Sequence, residues 1–554
     1  MKREHITHLG RHFKLNFAGL LVGFAFYCFS LTPSLLPRPI IFEGVIAGVC
    51  FAVGYGLGVL LSWAVRRLSK KELPPKVKKL AWRVALFVVS AAAIAYGVQA
   101  TAWQNEVRAL IGETEFAGQH VLAIILVAFV TAAAVIFLAR QVHRLIYILS
   151  EFIERWLPRQ VSFAIGTVIV ALILVWFYNG VLLKTFIAVS NNIYRSTNQS
   201  TASGVTRPAS AFRSGGDGSL VSWESLGRKG RNFIAGGPSQ EELAAFGGAA
   251  PAEPIRIYVG VDSRPTPEER AVLAVQEMER TGAFSRQVLV VMSATGTGWI
   301  EPQTADTIEY MHSGNTALVS VQYSYLPSWI SFMVDRENSQ QASRVLFDAV
   351  YEKWQALPEG SRPKLFVHGL SLGAYGAQSI FSGVADLQNR TDGALFVGSP
   401  NSSEPWSYFT QNRDQPSPAW QPTYQEGQTI RFAAAAGDIF KLGANWPSPR
   451  ILYMQHASDP IVWWSPDLIW HEPDWLRETR GSDVSPKMQW YPFVTFFQVT
   501  VDQFFATFVP PGHGHNYSDI IVSAWEAVAR PPDWPPVKTE ALQAIISAYP
   551  IERL

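Results

Sequence analysis

The residues best suited to chemistry lie in the segment KLFVHGLSLGAYGAQ, where an apolar run leads into G-L-S-L-G at 369–373 and then into a helical pattern. A serine in a G-x-S-x-G sequence of this kind sits at a sharp turn between a strand and a helix, with its hydroxyl exposed above the sheet. The glycines are needed because the backbone of such a turn is strained and closely approached by its neighbours. The pattern predicts that Ser371 is a nucleophile. Helix N-capping, the other role that serine favours there, does not explain the paired glycines.

The candidate acid follows a late strand. A serine hydroxyl is a weak nucleophile, so Ser371 needs a base and a third group that orients the base. In hydrolases with this turn, the acid and then the histidine follow the serine along the chain. Asp459 comes three residues after the strand-like run RILYMQH and is the preferred acid, with Asp438 and Asp467 as competitors. A turn-capping role is the alternative for Asp459.

The candidate base lies in a loop before a late helical pattern. The segment PPGHGHNYS carries His513 and His515 and is followed by IIVSAWEAVAR. We favour His515, because G-H-N-Y running into a helix resembles the histidine loop of many esterases, and His513 is the alternative base. His368 and His456 lie in predicted strands, so we expect them to be satisfied interior side chains.

Acyl transfer also needs N–H groups aimed at the oxyanion that forms on the substrate. The backbone N–H of Leu372 is one candidate, by its position after the serine. The second donor is expected in the loop SATGTGW after an earlier strand, at Thr297 or Gly298, where glycine frees the backbone to approach. An ordinary glycine turn is the alternative for this loop.

Aromatic residues are dense around the candidate site. Trp299 closes the glycine-rich loop, and Trp463 and Trp464 closely follow the candidate acid, so we predict that these indoles bind substrate. Further aromatic residues lie between Asp459 and His515, and this stretch is expected to form a cap. Aromatic bodies with polar tips suit an acyl-chain groove or a lipid interface, and core packing is the alternative for each of them.

The elements that must position these residues begin at Ile255, where short apolar runs start to alternate with amphipathic stretches. This alternation is typical of a mostly parallel sheet covered by helices, so we predict an α/β fold with a doubly wound sheet. The predicted strands are IRIYVGV, QVLVVM, TALVSVQYS, KLFVHGL, GALFVG and RILYMQH. The clearest predicted helices are PEERAVLAVQEMERTG, with Thr266 as N-cap and Pro267 in the first position, and QASRVLFDAVYEKWQAL.

Composition bounds the remaining possibilities. With 554 residues the chain exceeds one ordinary domain, and 48% hydrophobic residues with 16% charged ones indicate a lipid-facing part beside a globular one. A net charge of +2 gives no basis for nucleic-acid binding. The two cysteines, Cys28 and Cys50, lie in apolar stretches and cannot build a metal site or a disulfide framework in the soluble part. A metal site at His513, His515 and Asp459 is a further alternative, but two histidines two residues apart supply too few ligands without a third nearby, so no metal and no cofactor is predicted.

The N-terminal third predicts an all-helical membrane domain. Five stretches approach or reach the roughly 20 apolar residues that cross a bilayer as a helix. They are Leu15–Leu31, Ile40–Val65, Leu80–Val98, Val121–Leu138 and Phe163–Leu183. We expect none of them to contain a buried charge.

Basic residues in the short loops predict the orientation, because Lys and Arg near span ends favour the cytoplasm. They precede span one, separate spans two and three, and separate spans four and five: Lys2, Arg3, Arg11, Lys14, Arg66, Arg67, Lys70, Lys71, Lys76, Lys78, Lys79, Arg140, Arg144, Arg155 and Arg159. The expected arrangement is a bacterial inner-membrane protein with a cytoplasmic N-terminus and an extracytoplasmic catalytic domain. The alternative is that Leu15–Leu31 or Val121–Leu138 is only a core helix.

The predicted domains are a membrane domain at 1–189, a linker at 190–252 and a catalytic domain at 253–554. The linker is rich in Gly, Ser, Asn and Ala. Its stretch SLVSWESLGRKGRNFIAGGP could lie on the membrane surface, and packing as an edge segment through Trp223 and Phe233 is the alternative.

The motifs SLTPSLLPRP, SLGRKGRNFI, ATGTGW, HGLSLGAYG and PPGHGHNYSD together resemble a bacterial family of integral-membrane α/β-hydrolases, over nearly the whole chain. The resemblance implies the fold and the hydrolase class, and its setting implies esters of envelope lipids or phospholipids as substrates.

Three functions are therefore compared. The leading interpretation is hydrolysis of an ester in a membrane or envelope lipid through a Ser-Asp-His triad and an acyl-enzyme. The first alternative is acyl transfer by the same triad, which the sequence does not distinguish from hydrolysis. The second is a channel or transporter with a regulatory, non-catalytic hydrolase-like domain, against which the expected absence of charge inside the spans argues.

Overall fold

The computed structural model describes residues 15–68, 74–116, 120–247 and 250–549. The described chain forms two compact units. The first comprises the residues up to Lys184 with Pro466–Arg477 and Ser482–Phe505, and the second comprises Thr185–Ser465, Glu478–Gly481 and the residues from Ala506 onward. Part of the orientation prediction rests on Lys2, Arg3, Arg11, Lys14, Lys70 and Lys71, which lie outside the described residues.

The first unit is helical. Numbered along the whole chain, its helices are α1 (Phe17–Ser30), α2 (Ile40–Leu68), α3 (Pro75–Leu110), α4 (Val121–Ile153), α5 (Arg159–Phe177), α17 (Asp474–Arg477) and α18 (Val494–Asp502). Helices α1 and α2 pack closely because small residues face each other. A side chain at Gly58 would place its Cβ only 2.5 Å from the Ala18 carbonyl oxygen, so glycine is required for this approach.

Within the described ranges, four helices are long and apolar enough to cross a membrane. They are Ile40–Leu68, Lys79–Leu110, Val121–Ile153 and Arg159–Gln199. These confirm four of the predicted apolar helices. The predicted first span is corrected, because α1 has 14 residues and falls short of the roughly 20 that a crossing helix needs.

The expectation that no span contains a buried charge is wrong. Glu43 lies in the first turn of α2 and is only 3% exposed. Arg38 just precedes this helix, is fully buried, and holds its Nε 3.6 Å from Oδ1 of Asp502. Absence of buried charge therefore cannot serve as an argument against a transport path. Arg38 is paired with Asp502 inside the same unit.

The loop before α2, which contains much of the SLTPSLLPRP motif, is fastened by helix α18. Asp502 Oδ2 accepts hydrogen bonds from Ser34 Oγ and from the Leu35 N–H, the latter at 3.1 Å. Gln498 Nε2 donates to the carbonyl oxygens of Ser30 and Thr32 at 3.1 and 3.0 Å. These bonds satisfy backbone groups that would otherwise be buried without partners. They also explain why the stretch predicted to cap the catalytic domain groups largely with the N-terminal helices.

The second unit is built on a parallel sheet of seven strands among the residues described, and its α/β fold confirms the predicted fold class. The strands are β1 (Ile255–Val259), β2 (Val288–Ser293), β3 (Thr316–Val321), β4 (Lys364–Leu370), β5 (Gly393–Val397), β6 (Ile430–Ala433) and β7 (Arg450–Met454). Their order is β1-β3-β2-β4-β5-β7-β6. Because every pair is parallel, the carboxyl ends of β2, β4, β5 and β7 meet at one edge.

Helices surround this sheet. They are α6 (Leu183–Gln199), α7 (Gly227–Ala235), α8 (Gln240–Gly247), α9 (Pro267–Thr281), α10 (Pro302–Met311), α11 (Ser328–Val334), α12 (Arg336–Gln355), α13 (Leu372–Gln378), α14 (Val384–Arg390), α15 (Glu404–Gln411), α16 (Pro460–Trp463), α19 (Ile521–Ala529) and α20 (Pro536–Ser547). The predicted N-cap is found at α9, where Thr266 Oγ1 accepts from the Glu269 N–H at 3.1 Å.

The segment predicted as a linker contains the end of α6 and helices α7 and α8. Helix α7 packs on β1 through Gly230, whose Cβ would lie 2.4 Å from the Tyr258 ring. Arg231 is buried and donates to the carbonyl oxygens of Asn198 and Ser200 at 2.9 and 2.7 Å. The SLGRKGRNFI motif is thus packed onto the sheet, as in the edge-segment alternative.

Candidate active site

Ser371 lies at the turn between β4 and α13. Its backbone has φ 56° and ψ −123°, a conformation that residues with side chains rarely adopt. The paired glycines are required by close approach. A Cβ at Gly369 would lie 2.4 Å from the Gly373 carbonyl oxygen, and a Cβ at Gly373 would lie 2.3 Å from the Ser293 carbonyl oxygen. The turn is therefore wedged against the end of β2, with the serine in strained geometry of the kind associated with functional sites.

Asp459 and His515 form a buried pair. His515 Nδ1 lies 2.6 Å from Asp459 Oδ2, and both side chains are shielded from solvent. Asp459 Oδ1 accepts from the Ile461 N–H at 2.9 Å, so the carboxylate also caps α16. His515 Nε2 is buried and makes no hydrogen bond within the described chain. This leaves one imidazole nitrogen fixed by the carboxylate and the other free to accept a proton.

Ser371 and His515 each contact the backbone at the end of β5. The Ser371 N–H donates to the Val397 carbonyl oxygen at 2.8 Å. The next residue, Gly398, has φ +56°, and a Cβ there would lie 2.3 Å from His515 Cε1. The Ser371 backbone and the His515 imidazole thus both lie at the carboxyl end of β5.

Tyr517 is a member of this site that the sequence reasoning missed. Its hydroxyl donates to Asp459 Oδ2 at 2.6 Å, the oxygen that also faces His515, and accepts from the His456 N–H at 3.2 Å. Its ring stacks on the His456 imidazole, with centroids 4.2 Å apart. Its position two residues after His515 in the NYS sequence was the available signal.

The histidine loop is fastened to the loop that carries Asp459. His456 Nδ1 pairs with the Gly514 carbonyl oxygen at 2.9 Å, and the Gly514 N–H donates to Ser458 Oγ at 2.8 Å. His456 is buried, but it is not the fully satisfied strand residue that was expected: it lies beyond the end of β7, and its Nε2 has no hydrogen bond within the described chain. His368 is a satisfied interior histidine, with Nδ1 3.0 Å from the Leu395 carbonyl oxygen, and burial lowers its pKa to about 4.

His513 faces a different carboxyl group. Burial raises the pKa of Asp519, and the charges of His456 and His513 oppose that rise. Asp519 also lies against Gly512 at the start of the loop. Among the described residues no group of three or more His, Cys, Asp or Glu side chains could hold a metal ion.

Asp438, a competing candidate for the acid, caps a local turn instead. Its Oδ2 accepts hydrogen bonds from the N–H groups of Ala434 and Ala435.

In the loop after β2, one of the two predicted oxyanion donors, the Gly298 N–H, is already hydrogen-bonded. The Gly298 N–H is used within the loop, where it donates to the Thr295 carbonyl oxygen at 2.9 Å. The Thr295 N–H in turn donates to the Trp299 carbonyl oxygen at 3.1 Å. Gly298 has φ +84° in this turn, and a Cβ there would lie 2.2 Å from the Tyr258 hydroxyl oxygen.

Among the backbone N–H groups near the serine, those of Leu372, Thr297 and Ala294 have no hydrogen bond in the described part of the chain. Leu372 is the first residue of α13, so its N–H has no partner within the helix. Ala294 follows β2 directly, and its carbonyl oxygen lies 3.3 Å from a Cβ at Gly373. Ala294 was not a candidate from the sequence, which placed the second donor at Thr297 or Gly298 because of the neighbouring glycines.

A second carboxyl group lies within electrostatic range of the histidine. Burial raises the pKa of Glu301, while a hydrogen bond from Thr304 and the charge of His515 act in the opposite direction. The Thr304 Oγ1 donates to Glu301 Oε2 at 2.7 Å. Glu301 follows the glycine-rich loop and was not singled out from the sequence.

The three predicted substrate-binding indoles have different surroundings. Trp463 is 1% exposed, donates from Nε1 to the His456 carbonyl oxygen at 3.1 Å, and packs on Trp406, as a core side chain does. Trp299 is also buried, with Lys229 Nζ 5.9 Å from its ring centroid. Trp464 is partly exposed and borders Phe332. Of the three, Trp464 has the surroundings most suited to a binding surface.

A parallel sheet with a strained serine after a central strand and a buried acid–histidine pair at the same edge defines the α/β-hydrolase class. Residues 255–542 match a family profile described as Alpha/beta-hydrolase family, and residues 31–238 match one described as Alpha/beta-hydrolase family N-terminus. The chain belongs to this family, which confirms the resemblance at the level of fold and family. No curated protein and no solved structure matches the chain.

Proposed function

We propose that this protein is a membrane-anchored serine hydrolase that cleaves an ester in a membrane lipid. The observation that carries the proposal is the His515 imidazole, which pairs with Asp459 through Nδ1 while Nε2 has no partner in the described chain. The four helices long enough to cross a membrane support the anchoring. A lipid substrate accounts for the presence of a hydrolase domain on such a chain.

The reaction follows from the roles of these groups. Ser371 Oγ attacks the ester carbonyl carbon while its proton passes to His515 Nε2, and Asp459 stabilises the imidazolium that forms. The Leu372 N–H and one N–H of the loop after β2, at Thr297 or Ala294, stabilise the oxyanion. The tetrahedral intermediate expels the alcohol, which takes the proton from His515, and an acyl-serine remains.

Water then completes the turnover. It attacks the acyl-serine as its proton passes to His515 Nε2, and collapse of the second intermediate releases the carboxylic acid and returns the proton to Ser371. Acyl transfer differs only in that an alcohol replaces water in this step. Product analysis with and without added alcohol separates the two activities.

The orientation of the domain is part of the proposal. Positive charge at the end of α2 and at the junction of α4 and α5 favours the cytoplasm for both of these helix ends. Helix α5 then leads out of the cytoplasm, so the hydrolase domain lies on the opposite side. This deduction does not depend on whether the short helix α1 crosses the membrane.

The test of the proposal is labelling with a fluorophosphonate, followed by hydrolysis assays on phospholipids and short-chain esters. The probe reacts with a serine only where a base and an oxyanion site act together. We expect labelling of the detergent-solubilised full chain and none of Ser371→Ala. A folded chain that neither reacts nor cleaves any ester contradicts the proposal.

A further inference from the structure

An exposed apolar surface lies on the second unit, away from its core. It consists of Phe186, Val189 and Ile193 on α6 and of Trp329 and Met333 on α11, which we call the apolar strip. These side chains are between 42% and 63% exposed. Large apolar side chains grouped in this way mark a site of contact with a membrane or another protein.

Helix α6 separates its side chains into distinct faces. Ser190 and Asn198 are buried and mark the side that packs against the unit. The residues of the apolar strip on α6 follow one another at intervals of three and four, so they form a single stripe along the helix. The exposed polar residues Asn192 and Arg195 lie on another face. This division is typical of an amphipathic helix.

The two helices contribute to one surface. The rings of Phe186 and Trp329 are 6.4 Å apart, which joins the stripe on α6 to α11. On α11, Trp329 and Met333 are four residues apart and therefore share a face. The apolar strip is thus continuous across both helices.

Helix α11 also borders the candidate active site. The ring of Phe332, next to Met333, lies 6.4 Å from that of Tyr375 and 6.3 Å from that of Trp464. Tyr375 lies on α13, and its N–H donates to the Ser371 carbonyl oxygen at 3.1 Å. A single short helix therefore separates the apolar strip from the turn that carries the serine.

The position of the strip along the chain identifies its partner. Residues 159–199 form a continuous helical segment whose apolar part could cross a membrane. Phe186 follows the end of the predicted span, Leu183, by three residues, which is at most about 10 Å of chain. Tryptophan and exposed apolar side chains so close to a span end are typical of the membrane interface.

We propose that the apolar strip inserts into the lipid–water interface of the bilayer that holds the chain, and that a lipid substrate reaches Ser371 past α11. The second half of this proposal rests on the proposed hydrolase function. The first half does not, because insertion requires only the exposed side chains and the adjacent span.

Fluorescence quenching in vesicles tests the insertion. Ile193→Cys and Met333→Cys are each labelled with an environment-sensitive dye in the full chain and reconstituted into phosphatidylcholine and phosphatidylglycerol vesicles. Cys28 and Cys50 are buried, so the unchanged chain serves as the labelling blank. Asn192→Cys is the matched control, because it is exposed on a polar face of the same helix. Lipids with a spin label near the head group act as the quencher.

We expect quenching several-fold stronger at 193 and 333 than at 192. Equal quenching at all three positions would overturn the proposal. It would also be overturned if the dyes at 193 and 333 were shielded from lipid and from aqueous quencher alike while copies of the chain cross-linked through them, because the strip would then be an interface between proteins.

A kinetic measurement tests substrate entry separately. Trp329→Gln and Met333→Gln should raise the apparent KM for vesicle lipid and lower the ratio of its hydrolysis to that of a soluble short-chain ester. A ratio equal to that of the unchanged chain contradicts entry past α11. The quenching experiment is repeated with Ser371→Ala, so failure of the hydrolase proposal leaves the insertion result readable.

Discussion

The imidazole of His515 rests against the α-carbon of Gly398, so closely that a Cβ at this glycine would lie 2.3 Å from His515 Cε1. Gly398 is the first residue after β5 and has φ +56°. The end of this strand therefore positions the candidate base without any hydrogen bond to it. Glycine is needed here for both space and conformation.

The first prediction concerns this glycine. Gly398→Ala should displace His515 and lower kcat by roughly 10²-fold, because misplacing a catalytic group by about 1 Å has an effect of that order. Gly360→Ala is the matched control, since its Cβ would meet nothing within 4 Å. Steady-state kinetics on a soluble ester, with circular dichroism to check folding, measure the effect. Equal activities of the two variants would show that His515 does not act from this position.

The second prediction concerns Tyr517. Tyr517→Phe removes a hydrogen bond that fixes the Asp459 carboxylate opposite His515. We expect kcat/KM on a soluble ester to fall by about 10-fold, because the acid then positions the base less firmly. Tyr453→Phe is the control, because this buried tyrosine loses a neutral hydrogen bond to Gln378. A kcat/KM equal to that of the control variant would assign Tyr517 to packing alone.

The third prediction concerns the buried charge in the first unit. Burial raises the pKa of Asp502 to about 6, and the Arg38 charge and hydrogen bonds from the loop before α2 oppose the rise. Because the folded-state pKa is raised, the contribution of Asp502 to stability is greatest below about pH 4 and is lost as the pH rises through 6. The loss is on the order of 3 kcal/mol.

Thermal unfolding in detergent between pH 4 and 7 measures this effect. Asp502→Asn should lack the decline at this site, so its stability should fall less between pH 4 and pH 7 than that of the unchanged chain. Its absolute stability should be lower at pH 7, because the buried Arg38 then has no counter-charge. Arg38→Gln leaves a buried carboxylate without its cation and should destabilise the chain at pH 7 by roughly 3 to 5 kcal/mol. Parallel stability curves for the unchanged chain and Asp502→Asn would refute the raised pKa.

The local sequence predicted those parts of the fold that depend on neighbouring residues. The serine turn was found because its glycines are required by contacts that arise from the turn itself, and the long strands were found because they are buried on both faces. Strand β6, with the sequence IRFA, was missed because it has four residues at an edge of the sheet and precedes an alanine run.

Other features depend on residues far apart in the chain. Tyr517 bonds to Asp459 across 58 positions, and Asp502 reaches Ser34 across 468. No periodicity or spacing indicates such partners. Helix α18 was predicted to be part of a cap on the catalytic domain, but it groups with the N-terminal helices. Its partners there are also far away in the sequence. Gly298 was one of two candidate donors because glycine permits close approach, but its N–H bonds within the loop and the close approach there is made by Tyr258.

The fourth prediction concerns orientation. A reporter that is active only outside the cytoplasm should be active when fused after Leu554, because the basic end of α2 and the basic junction of α4 and α5 favour the cytoplasm. As the matched control, a reporter that is active only in the cytoplasm should be silent when fused at the same position. Activity of the cytoplasmic reporter instead would reverse the proposed orientation of the hydrolase domain.

The most direct measurement of the central claim is covalent labelling of Ser371 by a fluorophosphonate in the full chain. We expect stoichiometric labelling, its complete loss in Ser371→Ala, a steep loss when His515 is replaced by Ala, and a smaller loss in Asp459→Asn, because the acid acts through the base. His513→Ala should retain labelling, since His513 faces Asp519. Labelling that persists in Ser371→Ala, or that is lost in His513→Ala and retained in His515→Ala, would contradict the account.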